Sequence, residues 1–310
     1  MILDLSPEAA EFGRQALRAF EAAGGDQLLQ EAEAKPQARE ALVGSVLTGL
    51  GAWELEPRGD TDSLEAAAAL CRSAGYWALP YPVAERLSRP ADGDTAGLLV
   101  VAENNPSAPV VGVQLPWSAV TLDGRCHTVA GTSSARPGFV AELELSSTST
   151  STPSDVALAL VLPCWTLLGM LDRALELTIA HVRLRQQFGQ PLSSFQSVQF
   201  QLTDAEVERG GLEILAKHAL WSAGSSSPSS AAEALADALA LRMAAIEAAE
   251  VVFRVCHQLH GAVGFCDETT LSWLSRYSQP LRRLPFGLSA TRDLLTAQVG
   301  RRGLTGLYST

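Results

Sequence analysis

The sequence predicts a mainly α-helical protein with a small β-domain in its middle: an N-terminal helical unit, a group of short strands, and a C-terminal antiparallel bundle of four or five helices. Three observations carry the prediction. Apolar residues recur at helical spacing toward both ends of the chain, and clusters of aliphatic and β-branched residues between Gly97 and Leu145 are separated by turn dipeptides. The composition, 47% hydrophobic and 18% charged over 310 residues, is that of a globular chain able to bury one large core or two modest ones.

The first helix starts at Ser6-Pro7-Glu8, where Ser6 can cap and Pro7 takes the first helical position; Ala10, Phe12, Ala16, Leu17 and Phe20 follow at helical spacing. Further helices run through Pro36 to Leu50 and through Ser63 to Ser73. Gly75, Pro80, Pro82, Pro90 and Gly93 then interrupt the pattern, so residues 1–92 form the helical unit. Leu98 to Val101, Val110 to Val113, Ala119 to Leu122 and Phe139 to Leu145 read as strands, set apart by Asn-Pro, Asp-Gly and Pro-Gly turns. The run Ser146 to Ser154 offers no apolar anchor and reads as a flexible Ser/Thr linker closing the β-domain, residues 93–153.

Residues 154–310 are helical in pattern, with breaks at Gly189 to Pro191, Gly224 to Ser230, Gly261 to Cys266 and near Pro280 and Pro285. Long helices joined by short breaks imply the antiparallel bundle. Ten of the twenty residues from Ala231 to Glu250 are alanine, which permits close helix contacts within the chain or between subunits, and Ser230-Ala-Ala-Glu233 has the form of a capping box ahead of them.

Lys and Arg number 23 against 34 Asp and Glu, a net charge of −11 that leaves no excess of cations for a phosphate polymer, so nucleic acid is not an expected partner. The N-terminal residues lack a basic stretch followed by an apolar one. The longest apolar run, Val156 to Leu171, contains Pro163 and leads into Asp172-Arg173, so no membrane span is expected and the reading is cytoplasmic. Five cysteines without a Cys-x-x-Cys pair fit a reducing compartment.

Two segments of the bundle carry candidate chemistry. In Arg185-Gln-Gln-Phe188-Gly189-Gln-Pro191, followed by Phe195-Gln196, an arginine at a helix end can present its guanidinium to a phosphate, or can simply complement the helix dipole while the phenylalanines pack. In Gln258-Leu-His-Gly261-Ala-Val-Gly264-Phe265 the glycines either admit a nucleotide close to the backbone or serve a helix C-cap. The segment closes a helix, unlike the dinucleotide fingerprint that opens one.

Together, in this order and with a helix pair between them, these segments resemble the C-terminal domain of the acyl-CoA dehydrogenase family. The family pattern, Arg-x-x-Phe-Gly then Phe-Gln, then Gln-x-x-Gly-Gly-x-Gly-aromatic, is met by Arg185, Phe188, Gly189, Phe195, Gln196, Gln258, Gly261, Gly264 and Phe265; Ala262 replaces the middle glycine. The resemblance covers residues 155–300 and, more weakly, Leu64 to Pro82. It implies FAD, held between subunits: Arg185 at the pyrophosphate, Phe188 and Gln196 flanking the adenosine, and Gln258, Gly261 and Gly264 meeting the diphosphate. It also implies an acyl-CoA substrate and, as the family's usual acceptor, an electron-transfer flavoprotein.

The rest of the chain departs from the family. Its Thr-Glu-Pro and Gly-Ser-Asp motifs, which hold the flavin ring, have no counterpart between Gly97 and Leu145; Ala102-Glu-Asn-Asn-Pro106 is the nearest stretch, so the β-domain is a reduced one. A thioester α-proton needs a carboxylate to remove it. The two positions where the family keeps that glutamate hold Phe286, within Pro285-Phe286-Gly287, and Ala159, on the first bundle helix. Glu176, Asp267 and Glu268 read as solvated or dipole-pairing residues. Cys256, His260 and Cys266 offer three ligands without the usual zinc grammar, so no metal is expected. The resemblance therefore points to a subunit with no catalytic residue of its own, like the shortened subunits of heteromeric, steroid-type acyl-CoA dehydrogenases. A second acyl-CoA dehydrogenase-like chain would supply flavin-ring seat and glutamate in a heterodimer or heterotetramer. A non-redox adenine-nucleotide or CoA binder, or a regulatory pseudo-subunit, is the alternative.

Overall fold

Ser6 caps the first helix as its sequence predicts: the hydroxyl accepts from the Ala9 amide at 3.2 Å, and α1 runs Pro7–Ala22. The structure, a computed structural model, describes residues 4–90, 95–150, 153–224 and 228–300. After α1 come α2 (Asp26–Ala34), a 3-10 turn at Pro36–Ala38, α3 (Arg39–Gly49), α4 (Thr61–Tyr76) and α5 (Val83–Leu87). The sequence reading does not pick out α2 and α5. Both are too short to hold themselves in water and depend on tertiary burial, of Leu28, Leu29 and Ala32 in one and Val83, Ala84 and Leu87 in the other.

Five strands, β1 (Gly97–Val100), β2 (Ser107–Ala108), β3 (Trp117–Val120), β4 (Arg125–Arg136) and β5 (Val140–Thr150), form one sheet in the order β1-β3-β4-β5-β2, parallel only between β1 and β3. Two expectations are corrected here, and one strand is added. Val110 to Val113 is a turn, because Gly112 takes φ +81° and lies so close to Pro36 that a Cβ would stand 1.9 Å from its carbonyl oxygen. The polar strand β4 was not expected; it is largely solvent-facing and so carries little hydrophobic signal. The Ser/Thr run is no free linker, since β5 continues through it, with Ser146 opposite Thr128 and Thr150 opposite Arg125. Backbone pairing, favoured by β-branched threonine, replaces the missing apolar anchor; residues 151 and 152 lie outside the described residues.

Arg39 joins the N-terminal helices to this sheet. Its guanidinium, 2% exposed, donates to the carbonyls of Pro80, Pro109 and Val111 and lies 4.0 Å over the Phe139 ring.

The bundle consists of α6 (Pro153–Leu184), a hairpin of β6 (Gln186–Gln187) and β7 (Gln190–Pro191), α7 (Gln196–Ala223), α8 (Pro228–His260), then α9 (Thr270–Tyr277), α10 (Gln279–Arg283) and α11 (Leu288–Gly300). α8 begins at Pro228, so Ser230 lies within its first turn rather than ahead of the helix. By length and composition alone Ser154–Leu184 could cross a membrane, but 78% of its most apolar window is buried inside the protein. It is the central helix, with Leu162, Trp165, Leu168 and Leu171 wholly enclosed. α4 crosses α6 at Gly75 and Gly169, where any Cβ would meet the facing backbone oxygen at 1.8 and 1.9 Å. Beside the crossing, Asp172 of α6 accepts from Arg72 of α4 at 2.7 Å and from Arg209 of α7 at 3.2 Å, and both arginines also pair with Glu213.

Candidate functional site

The two sequence motifs meet at one end of the bundle. α6 and α8 run in the same direction, so their C-termini lie together, and the His181 ring of α6 stacks on the His260 ring of α8 with centroids 4.3 Å apart. Each last turn is basic, with His181 and Arg183 in α6 and His257 and His260 in α8. Arg185 follows at the exposed corner, its backbone bonded to His181 on one side and to Leu192 on the other. Among the described residues none pairs with its guanidinium.

The corner itself is a tight hairpin. Phe188 and Gly189 occupy its two central positions with φ +54° and +80°, the pattern of a primed turn that suits the twist of paired strands. Gly189 accepts that conformation freely; Phe188 does not, and its side chain is 91% exposed. A large apolar ring held in a disfavoured backbone and left in water has no packing reason to be there. Among the described residues its one aromatic neighbour is Phe195, edge-on at 6.2 Å. Gln196 stands exposed as the first residue of α7.

On the α8 side, Gln258 is exposed in the last turn and Gly261, at φ +64°, opens a 3-10 turn with free space where a Cβ would be. Gly264 differs: it is buried, and a Cβ there would stand 2.8 Å from His260 Cβ and 3.3 Å from His257 Nδ1. His257 and Phe265 stack at 4.2 Å. The structure thus adds His181 and His257 to the residues that the sequence reading singled out. Cys256, His260 and Cys266 do not converge: His260 Nδ1 donates to the Cys256 carbonyl at 2.9 Å, while the buried Cys256 thiol turns to the Ala174 carbonyl. No group of three His, Cys, Asp or Glu side chains suited to a metal occurs among the described residues.

Comparison with known proteins identifies the domain that carries these residues. Residues 161–289 match the acyl-CoA dehydrogenase C-terminal domain, and the segment contains every motif residue above. This part of the chain is an acyl-CoA dehydrogenase C-terminal domain.

Over 231 residues the chain is 27% identical to 3-sulfinopropanoyl-CoA desulfinase of Paraburkholderia xenovorans, covering 71% of this chain and 55% of that one. Over 132 residues it is 32% identical to acyl-CoA dehydrogenase FadE28 of Mycobacterium tuberculosis, covering 42% of this chain and 37% of that one. The chain thus spans about half the length, or less, of these relatives. Among solved structures, the Tcur3481-Tcur3483 steroid ACAD (G363A variant) superposes with a TM-score of 0.76 at 19% identity, over 96% of this chain and 99% of that one. The ChsE4-ChsE5 complex from M. tuberculosis gives 0.70 at 16%, over 98% and 100%. These likenesses establish the acyl-CoA dehydrogenase fold.

Of the two positions singled out from the sequence for a base, Ala159 of α6 lines a small cavity, while Phe286 does not line it and only its neighbour Pro285 does. The Phe286 carbonyl accepts from Arg242 at 2.7 Å. The cavity is about 50 Å³. That admits water, whereas sites for larger ligands run to roughly 300–1,000 Å³. Glu85 of α5, which the sequence reading passed over, also lines it; burial pushes its carboxyl up, against the pull of its own amide and of Arg39. The three acids weighed from sequence lie elsewhere. Glu176 pairs with Tyr76 and Arg173, Asp267 with Arg276 at 2.7 Å, and Glu268 is exposed.

Proposed function

We propose that this chain is one subunit of an FAD-dependent acyl-CoA dehydrogenase and that it supplies the adenine and pyrophosphate half of a flavin site completed by a second, related chain. The observation that carries the reading is Phe188: strained, 91% exposed, and beside an arginine unpaired among the described residues. The donor set fits the group. Arg185 is free to meet a diphosphate, Phe188 offers a flat face to adenine, Gln196 and Gln258 offer amides, and Gly261 leaves its backbone open. Gly264, facing His257 and His260, contributes by letting the turn close on α8.

When bound, FAD supplies hydride acceptance for the α,β-dehydrogenation of an acyl-CoA thioester. In this reading the flavin-ring seat and the proton-abstracting glutamate belong to the second chain. The 50 Å³ cavity beside Ala159 supports that division, because it leaves no room for an acyl group at that position. The likeness to the steroid ACAD and to the ChsE4-ChsE5 complex supports a heterodimer or heterotetramer and a bulky, steroid-type acyl-CoA. An electron-transfer flavoprotein would take the electrons, in the cytoplasm.

The test is co-expression with the second chain. Arg185→Ala should strip FAD from the co-purified pair while leaving assembly intact. Unchanged flavin would defeat the shared-site reading, as would bound FAD with full activity in this chain purified alone. A pair that stays colourless but binds ADP would favour a non-redox nucleotide binder.

A further inference from the structure

We propose that the stacked His181–His260 pair is the proton-accepting edge of this nucleotide site, one ring of the pair taking up a proton when a pyrophosphate docks beside Arg185. The inference rests on the half-site reading above and extends it to residues that reading does not use.

The geometry comes first. The pair bridges the two motifs: His181 is one turn before Arg185 on α6, and His260 immediately precedes Gly261. A backbone carbonyl can only accept, so the bond from His260 to the Cys256 carbonyl fixes the proton on Nδ1 and leaves Nε2 as the free position. His257 lies one turn earlier on α8, its Nδ1 buried against the Gly264 backbone.

The electrostatics explain why the pair would respond. Burial pushes all three rings below the ordinary histidine value of 6.5. Arg185, just past the end of α6, depresses His181 further; at His257 the Gly264 backbone opposes burial while Arg282 of α10 adds to it; and the rings act on one another at His260, where the Cys256 carbonyl opposes the trend. The carboxylates on the packing elements are turned to other work: Glu250 acts on Arg282, Asp267 is bonded to Arg276, and Glu176 to Tyr76 and Arg173. Among the described residues the charged groups bearing on the rings are therefore all cationic, and the rings stay neutral near pH 7. A diphosphate anion reverses the balance, offsetting Arg185 and stabilising one imidazolium.

The experiment uses the full chain and ADP-ribose, whose diester pyrophosphate keeps a constant charge over the relevant range. Histidine Cε1 proton resonances are followed by NMR against pH, with and without ligand. Free, the His181 and His260 midpoints should lie below 6.5; with ADP-ribose, one should rise above 6.5. Affinity should tighten on going from about pH 7.5 to about pH 5.5, by at most about tenfold per pH unit for one proton taken up. His181→Gln and His260→Gln should each flatten that dependence while retaining binding at the upper pH. If ADP-ribose binds but neither midpoint moves and affinity is flat with pH, the pair is packing alone and the half-site reading survives. If wild type and Arg185→Ala alike show no binding, the half-site reading falls and this proposal with it.

Discussion

Phe188→Gly separates a structural role from a functional one at the hairpin corner. The wild-type side chain sits at φ +54°, a conformation costing a non-glycine residue about 1–2 kcal/mol, which glycine removes. Against that gain stand about 0.5–1 kcal/mol of added backbone entropy in the unfolded chain and about 0.5–1 kcal/mol for the lost edge contact with Phe195. Almost no burial is forfeited, since the ring is 91% exposed. The effects nearly cancel, so urea unfolding of the chain should shift by less than about 1 kcal/mol. Flavin content of the co-purified pair should nevertheless fall sharply, because the face offered to adenine is gone. Phe188→Asn, which tolerates the left-handed region, should behave alike. A loss of stability above about 2 kcal/mol would mean that the ring is structural, and undiminished flavin would mean that it does not touch the cofactor; either result refutes the reasoning.

Three further outcomes are expected. Arg242, 4% exposed, donates to the carbonyls of Leu281, Leu284 and Phe286 at 3.0, 2.6 and 2.7 Å; Arg242→Met orphans all three and should cost about 3 kcal/mol or more in thermal or urea unfolding, with faster proteolysis near Pro285. Gly169→Ala places a Cβ 1.9 Å from the Arg72 carbonyl, so α4 and α6 must separate; loss of cooperative unfolding by circular dichroism is the expected sign, and a wild-type transition the contrary one. At Glu213, burial alone would raise the carboxyl, but Arg209 and Arg72 outweigh it and hold it at about 2. A carboxylate depressed in the folded state stabilises fully above its unfolded value of 4.5 and loses that contribution as pH falls toward 2. Glu213→Gln should therefore flatten the pH dependence of stability in that window and leave it unaltered near neutrality.

Much of this was legible in the sequence where the signal is local. Ser6-Pro7 marked the first helix, and the Arg185 to Gln196 and Gln258 to Phe265 motifs marked the two turns that form the candidate site, because helix ends and turns are written in neighbouring residues. What escaped depends on the rest of the molecule. Val110 to Val113 has strand composition but is bent by Gly112 against Pro36 and held by Arg39, a partner far away in the chain. The Ser/Thr run and β4 are strands through backbone pairing with each other, which leaves no apolar alternation to read. Gln-Phe-Gly-Gln lacks the Asn-Gly signal of a primed hairpin, so the turn that exposes Phe188 was invisible. The His181–His260 stack joins two helices with a third between them and has no sequence signature at all.

The joint between sheet and bundle has a mechanical consequence. β5 runs to Thr150 and α6 begins at Pro153, so the span that looked like slack is mostly load-carrying strand. Phe139, at the turn between β4 and β5, meets Tyr277 of α9 at 5.2 Å, and the Arg39 guanidinium lies over its ring. Swinging one half against the other would have to unzip a ladder or strip a buried cation of its carbonyls. Sheet and bundle are thus tied at this corner by a paired strand, an aromatic contact and a buried cation, and bending there would have to disrupt all three together.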